Sequence, residues 1–225
     1  MITLALDAST YVGTVAVLRD RAVVAEGEAV MRGEQEERLM PAVVATLAEA
    51  GCSARDVARV ICGAGPGSFT SLRIAGAIAK GIVMGNEPRV DGLFAVSSLA
   101  LIVAGKSAVL EPGRWLALLD AMRGERYAAL YQVGAGGAVR EIERLGLVRE
   151  ENIGRYCARL GARAIGPGEM MEAAPHARGV GVLLDEILAR GRVSLDAWEP
   201  DYGRLAEAQV KWEAAHGRSL TGEGR

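Results

Sequence analysis

Histidine and cysteine are scarce in this chain, and that scarcity excludes several kinds of chemistry at once. The 2 histidines, His176 and His216, lie far apart and show neither H-x-x-x-H nor H-E-x-x-H spacing, which excludes a zinc-protease pattern. The 3 cysteines, Cys52, Cys62 and Cys157, form no C-x-x-C pair. Their odd number and wide spacing fit neither a disulfide framework nor a zinc knuckle, and each is expected as a small buried hydrophobe. An excess of one charge sign is also missing. With 26 basic against 28 acidic residues, the net charge of −2 gives no basic footprint for nucleic acid. No apolar run approaches the ~20 residues that cross a bilayer. The opening Met1-Ile2-Thr3-Leu4-Ala5-Leu6-Asp7 has no basic start before its apolar stretch, so it reads as a first strand and not a signal peptide. A cytoplasmic location without membrane contact is expected.

What is present fits a globular protein. Hydrophobic residues make up 50% and charged residues 24% of 225 positions, enough for one large domain or two small ones sharing an interface. Three short strands are expected at Ile2–Leu6, Val12–Leu18 and Ala22–Val30, the first alternating Ile2, Leu4 and Leu6 on one face. A helix from about Glu36 to Ala50 carries a Leu39, Val43, Leu47 stripe and stops at Gly51; Pro41 is tolerated because it lies near the start. A strand at Val57–Cys62 precedes a glycine-rich loop and a second helix, about Ser71 to Met84, with Ile74, Ile78 and Ile82 at helical spacing. A strand near Leu93–Val96 and a helix near Ser98–Ala104 close the first half. The second half opens as the first does. Leu116-Ala117-Leu118-Leu119-Asp120-Ala121 echoes Leu4-Ala5-Leu6-Asp7-Ala8, and each is followed by a polar turn and a returning strand, Arg126–Val133 or Thr14–Leu18. Helices near Glu151–Leu160 and Val180–Arg190 follow a turn at Gly134–Gly137, and the tail from about Gly217 is expected to fray. Two lobes, 1–105 and 106–225, are the expected domains.

Two turns are candidates for phosphate binding. In Gly63-Ala64-Gly65-Pro66-Gly67-Ser68-Phe69-Thr70, backbone N–H groups at a helix start could attract an anion. The run lacks the Gly-Lys-Ser/Thr ending of a P-loop, and Ser68 stands where the dinucleotide fingerprint needs its last glycine. A tight structural turn explains the glycines equally well. Asp7-Ala8-Ser9-Thr10 resembles the first phosphate loop of the actin/hexokinase superfold, or else an Asx turn capping a hairpin. The corresponding second turn, Asp120-Ala121-Met122-Arg123-Gly124-Glu125, keeps the aspartate but puts Met and Arg where small hydroxyl residues would serve phosphoryl transfer. Ser68 is not in G-x-S-x-G context and has no obvious histidine beside it, so acyl transfer finds no triad. Glu36 and Glu37 fit a solvated helix start.

Several stretches, in order along nearly the whole chain, resemble the TsaB family, also called YeaZ. They are Leu4–Thr10, Glu37-Arg38-Leu39-Met40-Pro41, Gly65-Pro66-Gly67-Ser68-Phe69-Thr70-Ser71-Leu72-Arg73-Ile74, Val96-Ser97-Ser98-Leu99, Asp120–Tyr127 and Pro200-Asp201-Tyr202-Gly203-Arg204. The Gly65–Ile74 run is the specific one. The resemblance implies a duplicated actin-like α/β fold (ASKHA, ribonuclease H-like), with two lobes of mixed sheet flanked by helices. It further implies a non-catalytic subunit that dimerises with TsaD and works beside the ATPase TsaE in threonylcarbamoyl transfer to tRNA. Metal and nucleotide are then expected on those partners and no cofactor on this chain; tRNA is met only within the complex, and a homodimer is expected when TsaD is absent.

For individual positions, the resemblance makes Asp7, Ser9, Thr10, Gly65, Gly67, Ser68, Thr70 and Asp120 candidates for a vestigial phosphate site, with no catalytic or metal-binding residue. Leu39, Met40, Val43, Val44, Leu47, Ile74, Ile78 and Ile82 are candidates for the partner interface, against a reading of part of them as core. Two departures from the family pattern stand out: Gln35 and Glu36 replace a His-Ser pair, and Ser71 replaces a glycine. The alternative functions are a small nucleotide-dependent phosphotransferase or ATPase using Asp7, Thr10, Ser68 and Asp120, and a metallopeptidase-like protein, which the missing histidine constellation disfavours.

Overall fold

The computed structural model describes residues 1–31 and 38–203. Gln35, Glu36, Glu37, Arg204, His216 and the expected frayed tail lie outside the described residues, and so does Glu36 as the expected start of the first helix, which is described from Leu39.

Strands β1 (Ile2–Asp7), β2 (Val12–Arg19) and β3 (Ala22–Val30) form an antiparallel meander. Helix α1 (Leu39–Glu49) leads to β4 (Val57–Gly63), α2 (Phe69–Asn86), β5 (Leu93–Val96) and α3 (Ser98–Ala104). Because β4 lies parallel to β1 and to β5, the first sheet has the order β3-β2-β1-β4-β5. The second half repeats this with β6 (Gly113–Asp120), β7 (Glu125–Val133), β8 (Val139–Arg149), α4 (Ile153–Leu160), β9 (Ala162–Gly166) and β10 (Met171–Glu172). Its order, β8-β7-β6-β9-β10, has the same pattern of antiparallel and parallel neighbours. Helix α5 (Val180–Arg190) follows. The short echo in sequence is thus a duplication of the whole sheet topology, the duplicated actin-like fold, with α2 lacking a counterpart between β9 and β10.

Two elements differ from expectation at their starts. Helix α2 begins at Phe69, two residues early, and α4 begins at Ile153 after a 3-10 turn at Glu150–Asn152. Ser71 lies within α2, buried, with its hydroxyl 3.0 Å from that of Ser68, so the missing glycine leaves the helix intact. Strands β8, β9 and β10 have no counterpart in the sequence reading. Strand β8 is an edge strand carrying Arg140, Glu141, Glu143 and Arg144, and two bulges break its register with β7. Both features erase the apolar alternation that marks a strand.

Alternation along the central strands sorts side chains into layers. Leu4, Leu6, Val15 and Val17 face α1 and α2, whereas Ala5, Ala16 and Leu18 face a core shared with α3, α5 and the second sheet. In the second sheet Trp115, Ala117 and Leu119 join that shared core, and Leu116 and Leu118 pack under α4. Helices α3 and α5 therefore lie between the sheets, α3 from the first half against the second sheet and α5 from the second half against β5. A polar tie accompanies this packing. The Ala177 amide donates to Thr14 Oγ1 at 3.0 Å, and Arg178 pairs with Glu26 at 3.1 Å. After α5 the chain runs back over the first lobe. The Val193 amide donates to the Leu93 carbonyl, Trp198 lies against Gly76 of α2, and the Asp201 amide reaches the Ala64 carbonyl at 2.7 Å. This strap covers the flank of α2 that carries Gly76 and Lys80.

Candidate functional site

Strand β1 ends in Asp7, a buried carboxylate whose oxygens are both engaged. Oδ1 accepts from the Ser9 amide at 2.9 Å and the Ser9 hydroxyl at 2.7 Å, and Oδ2 accepts from the Ser98 hydroxyl at the start of α3. Burial pushes the Asp7 carboxyl above the usual carboxylate range, opposed by the hydrogen bonds from Ser98 and Ser9. The glycines of the loop after β4 serve this packing. A Cβ on Gly63 would overlap Asp7 Oδ2, and one on Gly67 would overlap the Ser9 carbonyl. Gly65, at φ +84°, also passes against the Asp201 carbonyl. Three of the loop's amides are engaged within the fold: Ala64 donates to the Val96 carbonyl at 2.7 Å, Gly65 to Ser98 Oγ at 3.2 Å and Ser68 to the Ser9 carbonyl at 2.8 Å. The two candidate phosphate loops of the first lobe are therefore fastened to each other.

In front of them, between the lobes, a cleft of about 1050 Å³ opens. Ser9, Thr10, Gly67, Ser68 and Asp120 line it, while Asp7, Gly65 and Thr70 are not among its lining residues. Asp120 is exposed and caps its own turn, accepting from the Met122 amide at 2.8 Å. Met122 and Arg123 take left-handed conformations there, at φ 62° and 59°. Such φ values cost about 1–2 kcal/mol per non-glycine residue, so this turn holds its side chains at the cleft against a local penalty. The cleft's other walls are aromatic: Tyr11, Phe69, Tyr127 and Tyr202. The Tyr127 hydroxyl donates to the Tyr202 carbonyl at 3.1 Å, and the Phe69 and Tyr202 rings lie 4.4 Å apart. In a chain with only 5 tyrosines and 2 phenylalanines this concentration is marked, yet no spacing in sequence reveals it. Ser98 was also missed as a site residue, although its Val96–Leu99 stretch is one of those that resemble TsaB. Among the described residues no group of three or more His, Cys, Asp or Glu side chains is placed to hold a metal ion. No described helix is long and apolar enough to cross a membrane.

The candidate interface residues divide sharply. Helix α1 lies on β2 and β3, so its Leu39, Val43, Leu47 stripe faces inward and is at most 2% exposed; these three and Ile82 serve the chain's own core. Met40, Ile74 and Ile78 are half-buried, packed against the first-lobe core. Val44 is 54% exposed. The outward faces of the two helices carry Val44, Ala45 and Ala48 on α1 and Ala77, Gly81, Met84 and Gly85 on α2. A Cβ added to Gly81 or Gly85 would meet nothing within 4 Å.

Topology and cleft together define a two-lobed protein of the duplicated actin-like class whose first-lobe phosphate loops are closed on themselves. The family described as TsaD: tRNA N6-adenosine threonylcarbamoyltransferase matches residues 30–145. The tRNA threonylcarbamoyladenosine biosynthesis protein TsaB of Bacillus subtilis is 26% identical over 94% of this chain and 98% of its own length. The Escherichia coli protein of the same name is 37% identical over 60% of this chain and 56% of its own. A solved Pseudomonas aeruginosa protein, described as similar to the peptidase YeaZ, superposes with a TM-score of 0.73 at 27% identity, covering 90% of this chain and 99% of that one. This chain belongs to the TsaB/YeaZ family.

Proposed function

We propose that this chain takes part in threonylcarbamoyladenosine biosynthesis as a non-catalytic subunit. In this reading it dimerises with TsaD and activates it, with TsaE as a further partner, for transfer to the adenosine next to the anticodon in tRNAs reading codons that begin with A. The proposed setting is the cytoplasm, with tRNA met only in the complex. The observation that carries the reading is the outward face of α1 and α2. Val44 and Met84 are 54% and 66% exposed, and the small residues Ala45, Ala48, Ala77, Gly81 and Gly85 beside them let another helix approach closely. Self-pairing of the same face would give a homodimer when TsaD is absent. The interior position of Asp7 weighs against the phosphotransferase alternative, because a buried carboxylate with both oxygens engaged offers nothing to a metal-bound phosphate.

Co-purification with TsaD, and tRNA modification assayed with and without this chain, test the proposal. Gly81→Arg fills open space on an exposed helix and is expected to leave folding intact or slightly improved while abolishing co-purification. Full modification by TsaD and TsaE without this chain would refute the activating role, and undiminished co-purification of the Gly81→Arg chain would refute the assigned face.

A further inference from the structure

The interlobe cleft has a chemistry of its own, independent of the helical face. Its volume of about 1050 Å³ is ample for a small-molecule ligand. Four aromatic side chains line it, Tyr11 and Phe69 from the first lobe, Tyr127 from the second and Tyr202 from the strap, with Tyr11 50% and Phe69 40% exposed. Aromatic faces in an apolar cleft stack planar heterocycles without regard to their sequence or substituents. The charged lining is Asp120, Glu125 and Arg123, two carboxylates against one guanidinium. Carboxylates accept hydrogen bonds from sugar hydroxyls and ring amino groups, and they repel a polyphosphate.

Several of the groups that would hold a phosphate are already engaged within the fold. The Ser68 amide is bonded to the Ser9 carbonyl, the Gly65 amide to Ser98, and Asp7 is buried behind them. We propose that this cleft binds a nucleoside, a planar base carrying an uncharged sugar, in preference to a nucleoside triphosphate. The base stacks among the aromatic walls, and the sugar hydroxyls face the Asp120 and Glu125 side of the cleft.

The test is parallel calorimetric titration of the full chain, without partners, with adenosine, AMP and magnesium-ATP. Saturable one-to-one binding of adenosine is expected, with AMP no tighter and magnesium-ATP about tenfold weaker. Tyr11→Ala should weaken adenosine about tenfold, the loss of one stacking face. Leu147→Trp, at a cleft position 41% exposed, should block binding by filling space while the melting temperature holds. Absence of saturable adenosine binding up to its solubility limit would overturn the proposal, as would magnesium-ATP binding tighter than adenosine or adenosine binding unchanged in both variants. Because no partner is in the assay, any of these three failures leaves the TsaD reading untouched.

Discussion

Replacing Ser98 by alanine isolates what Asp7 does. Ser98 is fully buried, and its hydroxyl both donates to Asp7 Oδ2 and accepts from the Gly65 amide. The alanine leaves a carboxylate oxygen and a backbone amide without partners in the interior. A hydrogen bond to a charged group contributes about 1.5–3 kcal/mol, and an orphaned buried polar group costs about 1–3 kcal/mol. Ser9 still holds Oδ1 through two donors, so the loss is partial, about 2–4 kcal/mol. For a chain of this size, that lowers the melting temperature by about 5–15 °C. Thermal unfolding followed by circular dichroism reads the shift, and urea unfolding with an unchanged m-value assigns it to stability. In a cycle with Asp7→Asn, the double variant should lose at least about 1 kcal/mol less than the sum of the singles, because the two side chains share one bond. A Ser98→Ala melting point within about 1 °C of the parent, or strict additivity in the cycle, would refute the fastening role and return Asp7 to the list of phosphate ligands. The pH dependence supplies a second sign. Since the folded Asp7 titrates above its ordinary 3.8, its contribution is full below that value and declines as pH rises through the raised one. Asp7→Asn should remove that decline.

His176 titrates in the opposite sense. Burial, then the Arg178 and Lys106 cations, push its imidazole from 6.5 down to about 4, although Glu28 and Glu26 carboxylates lie 3.5 and 3.7 Å from Nε2 and pull the other way. The folded state is therefore expected to lose stability as pH falls from 6.5 toward 4, by up to about 2 kcal/mol between pH 7 and pH 5. Urea unfolding at those two pH values should show the loss in the parent and not in His176→Gln; equal slopes would refute it. Among the described residues, Thr3 Oγ1 is the buried side-chain polar atom without a hydrogen-bond partner. Thr3→Val keeps the shape and removes the orphan, so the urea midpoint should rise by the equivalent of about 1–2 kcal/mol, and a fall would point to a partner for that hydroxyl.

The fold was legible where short apolar runs are bounded by turn residues. Strands β1, β2 and β3 and helices α3 and α5 stand close to where those runs put them, although β1 and β2 are buried on both faces and α3 on every side. The cleft was not legible. Residues 11, 69, 127 and 202 acquire a common wall only after the lobes close and the strap returns. The role of Asp7 was hidden for the same reason, since its fastener Ser98 lies 91 positions downstream. The glycines at 63, 65 and 67 fit a tight turn and a phosphate cradle equally well on sequence. In the fold a Cβ at each would strike this chain's own atoms, so close packing by itself requires all three.

Duplication also explains why two aspartates at equivalent turns serve different ends. In the first lobe β4 runs alongside β1 through Cys62 opposite Leu6, so Gly63 lies beside Asp7 and leaves room for the carboxylate to turn inward. The next strand, β5, then delivers Ser98 within reach at the start of α3. In the second lobe, β9 ends sooner. Ile165 pairs with Ala117, and Gly166 presses on the Leu118 carbonyl, two residues short of Asp120. The strand after it, β10, spans only Met171–Glu172 and leads into Ala173, with no hydroxyl at its end. Asp120 thus has neither a glycine to make room nor a serine to hold it, and it stays in solvent, capping the Met122 amide. The first aspartate is consumed by folding and the second remains at the cleft, where its negative charge favours sugar hydroxyls over phosphate.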